Sequence, residues 1–106
     1  MLWEKVKDIE ERLNEIKQER EKIEKEIKEL PDGHIDIKKI GNRSYYYLRY
    51  WEEGKLKSKY LGKDASEIAA KVNLCNELKR KLVLVKDEEK RLEKAIEKIK
   101  NAVENS

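Results

Sequence analysis

Over residues 1–30, Leu2, Val6, Ile9, Leu13, Ile16, Ile23, Ile27 and Leu30 recur at alternating intervals of four and three. That spacing draws a narrow apolar stripe along one side of a helix, the seam of a coiled coil. Arg20 fills the one polar gap in the stripe. Pro31, Asp32 and Gly33 stop the helix, because proline cannot continue the hydrogen-bond ladder and glycine readily leaves it. At the other end of the chain, Asp64 followed by Glu67 forms a capping box. Behind it Ile68, Cys75, Leu78, Leu82, Val85, Leu92, Ile96, Ile99 and Val103 continue a similar seam, with Val72 one position off register and Glu89 in the polar gap. The chain therefore reads as a helix at 1–30, an insertion at 33–62 and a helix at 64–104, in one domain spanning 1–106.

If the second helix returns antiparallel to the first, positions whose numbers add to about 109 lie side by side. Val6 then meets Val103, Leu13 meets Ile96, Ile27 meets Leu82, and Arg20 meets Glu89. Each seam's charged interruption faces its opposite, so a slipped register would leave two charges in an apolar seam. The Arg20–Glu89 pair is expected to set the register of the hairpin.

Between the helices the apolar period changes to two, and turn residues divide the segment into three strands. Gly41 and Asn42 suit a two-residue turn that pairs Ile37 with Tyr46 and Ile35 with Leu48. Glu52, Glu53 and Gly54 suit a three-residue loop with Gly54 left-handed, pairing Tyr50 with Leu56 and Tyr46 with Tyr60. On that register Ile35, Ile37, Tyr46, Leu48, Tyr50, Leu56 and Tyr60 face inward, onto Ile68, Val72 and Cys75. The other face then presents Lys38, Tyr45, Tyr47, Arg49, Trp51, Lys55, Lys57 and Lys59. The fold class is α+β: a long antiparallel two-helix hairpin carrying a three-stranded meander.

Composition sharpens the picture in two places. Charged residues make up 46% of the chain; the near balance of signs and the strict apolar periodicity favour order over disorder. Such Glu- and Lys-rich composition is shared by coiled coils and by proteins of heat-adapted organisms. Residues 31–63 carry 8 cations and 4 anions, against 8 and 10 in residues 1–30 and 10 and 9 in residues 64–106. The positive balance sits in the meander, which also holds all 5 tyrosines. Cations neutralise phosphates, and Tyr and Trp rings stack on bases, so this face is the candidate nucleic-acid surface, DNA or RNA. The same pattern also stabilises an exposed sheet or contacts another protein.

Catalysis has little to draw on. His34 is the one histidine and suits a turn or strand start, and Cys75, the one cysteine, falls on an apolar seam. With one histidine, neither a His-based dyad nor a multi-His metal site can be assembled, the many carboxylates suit solvated pairs on the helix faces, and no cofactor is expected. A lone cysteine excludes an intrachain disulfide and favours a cytoplasmic location, and no apolar run reaches the ~20 residues of a membrane span. Leu82 to Val85 is apolar around most of the second helix. Leu74, Val83 and Leu84 are therefore candidates for a contact with a second copy, most simply in a twofold dimer.

Two resemblances rest on these residues. The Ile-rich strand, the YYYLRYWEEG and KLKSKYLGK strands and the following ASEIAAKV helix resemble the three-stranded DNA-binding module at the amino end of phage-type integrases, over residues 33–75. That resemblance implies a sheet lying in the major groove, with Arg49, Lys57 and Lys59 in the general placement of its contacting residues. The same YYYLRY and GKLKSKYLGK wording is similar to short archaeal proteins with no assigned mechanism. The order helix, β-insertion, return helix resembles a beta-type prefoldin subunit, which implies assembly through the insertion and a scaffold or client-holding role. The expected function is nucleic-acid binding by the outer sheet face with self-association through the helices; the alternative is a protein-interaction module.

Overall fold

The heptad stripes fold as their spacing requires. In a computed structural model describing residues 2–105, α1 spans Leu2–Glu29 and α2 spans Ser66–Glu104. Between them run β1 (His34–Ile40), β2 (Arg43–Glu52) and β3 (Lys55–Gly62). The side chain of Leu2, the first member of the seam, lies outside the described set. The last turn of α1 tightens, with the Leu30 amide donating to the Ile27 carbonyl. Asp32 then accepts from the Gly33 amide and fixes the exit. At the start of α2, Asp64 accepts from the Ser66 amide at 3.0 Å, satisfying one of the donors a helix leaves orphaned. That bond holds the Asp64 carboxyl below the usual aspartate range.

The chain forms two compact units. The first consists of α1 through Glu26 and α2 from Lys79 onward. Its core is the seam itself: Val6, Ile16, Ile23, Val85 and Ile96 are buried, Ile16 to 1% exposure. Burial of a side chain of that size contributes roughly 1.5–3 kcal/mol. The antiparallel register is the expected one, since Arg20 Nε lies 2.8 Å from Glu89 Oε2. The contact is a close ion pair. Desolvation pulls the Arg20 guanidinium toward neutrality, yet Glu89 and Glu24 outweigh it and its proton is held more tightly than usual. Arg12–Glu88, Lys17–Glu93, Lys81–Glu19 and Lys86–Glu24 add exposed pairs across the same two helices.

The second unit, Ile27–Leu78, contains the sheet, in the order β1-β2-β3 with both neighbours antiparallel. One sheet face turns toward the start of α2, where Ile35, Ile37 and Tyr46 line a groove with Ala65 and Ala69. Positions 65, 69 and 72 recur at helical spacing, so Val72 shares this stripe. Being one position off the heptad therefore does not expose it: Val72 is 2% exposed and Cys75 is fully buried. Leu48 is the buried side chain of the sheet.

Candidate nucleic-acid interface

The first hairpin closes as its glycine suggests. Gly41 has a φ of 62°, and β1 pairs with β2 in the expected register, Ile37 opposite Tyr46 and Ile35 opposite Leu48. The second hairpin differs from the sequence expectation by one residue. Glu53 and Gly54 both adopt positive φ, 51° and 76°, closing a two-residue turn of the type that matches strand twist, so Glu52 pairs directly with Lys55. Trp51 therefore faces Leu56, and Tyr47 faces Tyr60. The expected pairs of Tyr50 with Leu56 and Tyr46 with Tyr60 do not form.

A one-residue slip moves every side chain of a strand to the other face. Lys55, Lys57 and Lys59, expected beside Tyr47 and Trp51, instead stand opposite Glu52, Tyr50 and Leu48. Lys57 approaches Glu52 at 3.5 Å. Leu56 and Tyr60, expected inside, join the outer face and remain 45% and 54% exposed. A bulge at Leu61, where Tyr46 faces Gly62 while Tyr47 faces Tyr60, adds a second residue to the slip at the end of β3, so Gly62 stands where Tyr60 was expected.

The outer face that results is more aromatic and less basic than the sequence reading proposed. Tyr47 and Tyr60 lie 5.2 Å apart between ring centroids, and Tyr45 lies 6.4 Å from Tyr60, in tilted contacts. Lys38 places its ammonium 5.1 Å from the Tyr47 centroid, a cation–π contact. Arg49, between Tyr47 and Trp51, is held by Asp36 at 3.1 Å, and His34 approaches the other oxygen of Asp36 at 3.4 Å. Trp51 is 72% exposed at one end of the face, and Ile40 and Arg43 are exposed where β1 turns into β2.

Of the eight residues expected on this face, Lys38, Tyr45, Tyr47, Arg49 and Trp51 are there. Tyr60, Leu56, Arg43 and Asp36 belong to it as well. The signal for Tyr60 was present in the sequence, since a two-residue Glu-Gly turn puts it across from Tyr47. Asp36 was legible as well, since the pairing of Ile35 with Leu48 and Ile37 with Tyr46 sets it across from Tyr47. On α2, Leu74, Val83 and Leu84 are each exposed, to 46%, 62% and 68%. Among the described residues, no cluster of His, Cys, Asp or Glu is placed to hold a metal ion, and no helix is long and apolar enough to cross a membrane.

The model of a family described as a domain of unknown function, DUF6788, matches residues 7–70. The chain belongs to that family. The DUF6788 match takes in most of α1, the whole sheet and the first turn of α2, so the aromatic face lies inside the family's domain. No curated protein and no solved structure matches the chain.

Proposed function

We propose that this DUF6788 protein binds nucleic acid through the outer face of its sheet, and that α2 contacts a second copy of the chain. The observation that carries the reading is the gathering of Tyr45 and Tyr47 around Tyr60, at 6.4 and 5.2 Å between centroids, on an open sheet with Trp51 72% exposed on the same face. Tyr45 and Tyr47 are half-buried, whereas Tyr60 and Trp51 are exposed and forgo most of the burial that makes such rings useful in a core. They suit a ligand with flat apolar surfaces of its own. Lys38, Arg43 and Arg49 bound the rings with positive charge, and the segment 31–63 carries the chain's net positive balance. Bases offer the flat surface and phosphates the negative charge. A dimer would present two such faces to one polymer and raise the apparent affinity without new contacts.

A protein-contact reading draws on Ile40, Trp51 and Leu56, three exposed large apolar side chains on the same face. The two readings part on salt. Phosphate binding weakens steeply as salt rises, whereas a packed apolar contact does not. Fluorescence anisotropy of labelled DNA and RNA oligonucleotides, titrated with wild type and Trp51→Ala across a salt series, tests this. Binding that falls with salt and weakens roughly 5- to 150-fold in the variant is expected, since one base–aromatic stack contributes about 1–3 kcal/mol. Absence of binding at low salt overturns the reading and leaves the face to a protein partner.

A further inference from the structure

Resting on the nucleic-acid reading, we infer that the ligand is a single strand with unpaired bases, lying along the open edge of β3. Strand β3 pairs only with β2, so its far edge is unpartnered. The two-residue turn gives that edge two unlike sides. Leu56 and Tyr60 point to the aromatic face, while Lys55, Lys57 and Lys59 point to the other. Among the described residues no ion pair engages Lys55 or Lys59, and Lys57 meets only Glu52, itself exposed, at 3.5 Å. A strand following this edge stacks its bases on Tyr60, Tyr47 and Trp51 and turns its backbone outward around the edge toward the lysines.

Geometry excludes a duplex from that arrangement. Stacking on a ring requires a base with a free face, which a paired and stacked base lacks. A groove-bound duplex takes its phosphate contacts from cations beside the reading face, and the register removes three lysines from that side. Of the cations that remain there, Arg49 is tied to Asp36 and Lys38 lies against Tyr47, which leaves Arg43 at the far end of the face. Spacing agrees with a single strand. Alternate residues of a strand repeat every ~6.8 Å, twice the 3.4 Å rise per phosphate of a stacked strand. The three lysines thus meet every second phosphate of a stacked strand, or successive phosphates of one stretched to twice that rise.

The test is anisotropy at several salt concentrations with four probes: a 12-nucleotide single strand as DNA and as RNA, the corresponding duplex, and the same strand carrying abasic sites. The folded protein is used as wild type, as Tyr60→Ala, and as the triple variant Lys55→Ala, Lys57→Ala, Lys59→Ala, each checked by circular dichroism. A single strand is expected to bind at least about ten-fold tighter than the duplex, and abasic sites to weaken it. Tyr60→Ala should weaken binding with an unchanged salt slope. The triple variant should lower the slope by about two, at roughly 0.7 per phosphate contact on a single strand. A duplex that binds as tightly as the single strand, or an unchanged slope in the triple variant, overturns the inference while nucleic-acid binding stands. No binding by any probe overturns both.

Discussion

Gly33 is the position where a single added methyl group tests the sheet geometry most sharply. Its φ of 129° is one that side-chain-bearing residues rarely adopt, and a Cβ built there would run into the carbonyl oxygen of Arg49 and come within 3.3 Å of the Tyr50 Cβ. The obstruction is backbone in the central strand, which cannot swing aside as a side-chain tip can. Gly41 is the internal control, since it too has positive φ, 62°, but a Cβ there meets nothing within 4 Å. Gly41→Ala should therefore carry only the backbone cost, about 1–2 kcal/mol. Gly33→Ala carries a comparable or larger backbone cost, about 1–3 kcal/mol. It also pushes the start of β1 from β2, loosening the His34–Arg49 pairing, where each lost backbone hydrogen bond is worth about 0.5–1.5 kcal/mol. The difference between the two variants is expected to be about 2 kcal/mol, or roughly 8–16 °C in Tm for a chain of this size. Urea unfolding followed by near-ultraviolet circular dichroism of the tyrosines measures it. Equal losses in the two variants would refute the close approach of Gly33 to β2.

Other expectations follow from the same elements. Glu53 carries the left-handed conformation of the second turn without being glycine, so Glu53→Asn should raise stability by a few tenths to about 1 kcal/mol, read as a higher urea midpoint. If the second loop were the three-residue form, the exchange would be neutral or destabilising. Asp64 binds its proton less readily in the folded chain than in the unfolded one, so its contribution is present above the unfolded pKa of about 3.9 and is lost as pH falls through the lower folded value. Wild type should lose more stability than Asp64→Asn on acidification below about pH 4, and parallel curves would contradict the capping bond. Leu84→Glu, a change at a position 68% exposed, should leave the fold intact and yield a monomer by sedimentation if α2 carries the contact between copies. An unchanged sedimentation mass removes that contact.

The helical hairpin was legible because its register rests on long periodic seams and on one pair of opposite charges, Arg20 and Glu89, each alone in its stripe. A slip would have conflicted with both signals at once. The first β-hairpin was legible for a similar reason, a glycine in a turn with one glycine-demanding position. The second was not, because a non-glycine residue, Glu53, adopts positive φ, against its intrinsic preference. A three-residue loop avoids that cost and would place Leu56 and Tyr60 inside. Tertiary structure settled it the other way, with Tyr60 set against Tyr47 and Tyr45 on the open face. The same one-residue difference moved Lys55, Lys57 and Lys59 across the sheet and changed the expected ligand from a groove to an unpaired strand. Val72 shows the converse: off the heptad, it is buried on the 65, 69, 72 stripe beside the sheet.

The most direct measurement uses Trp51 as its own reporter. Trp3 and Trp51 are the 2 tryptophans of the chain, so Trp3→Phe leaves a single indole on the proposed binding face. Titrating that variant with an unlabelled single strand should quench Trp51 emission to saturation, with the midpoint moving to higher concentration as salt is raised. Emission that stays unchanged while anisotropy reports binding of the same strand would place the nucleic acid elsewhere on the chain and contradict the aromatic face as its site.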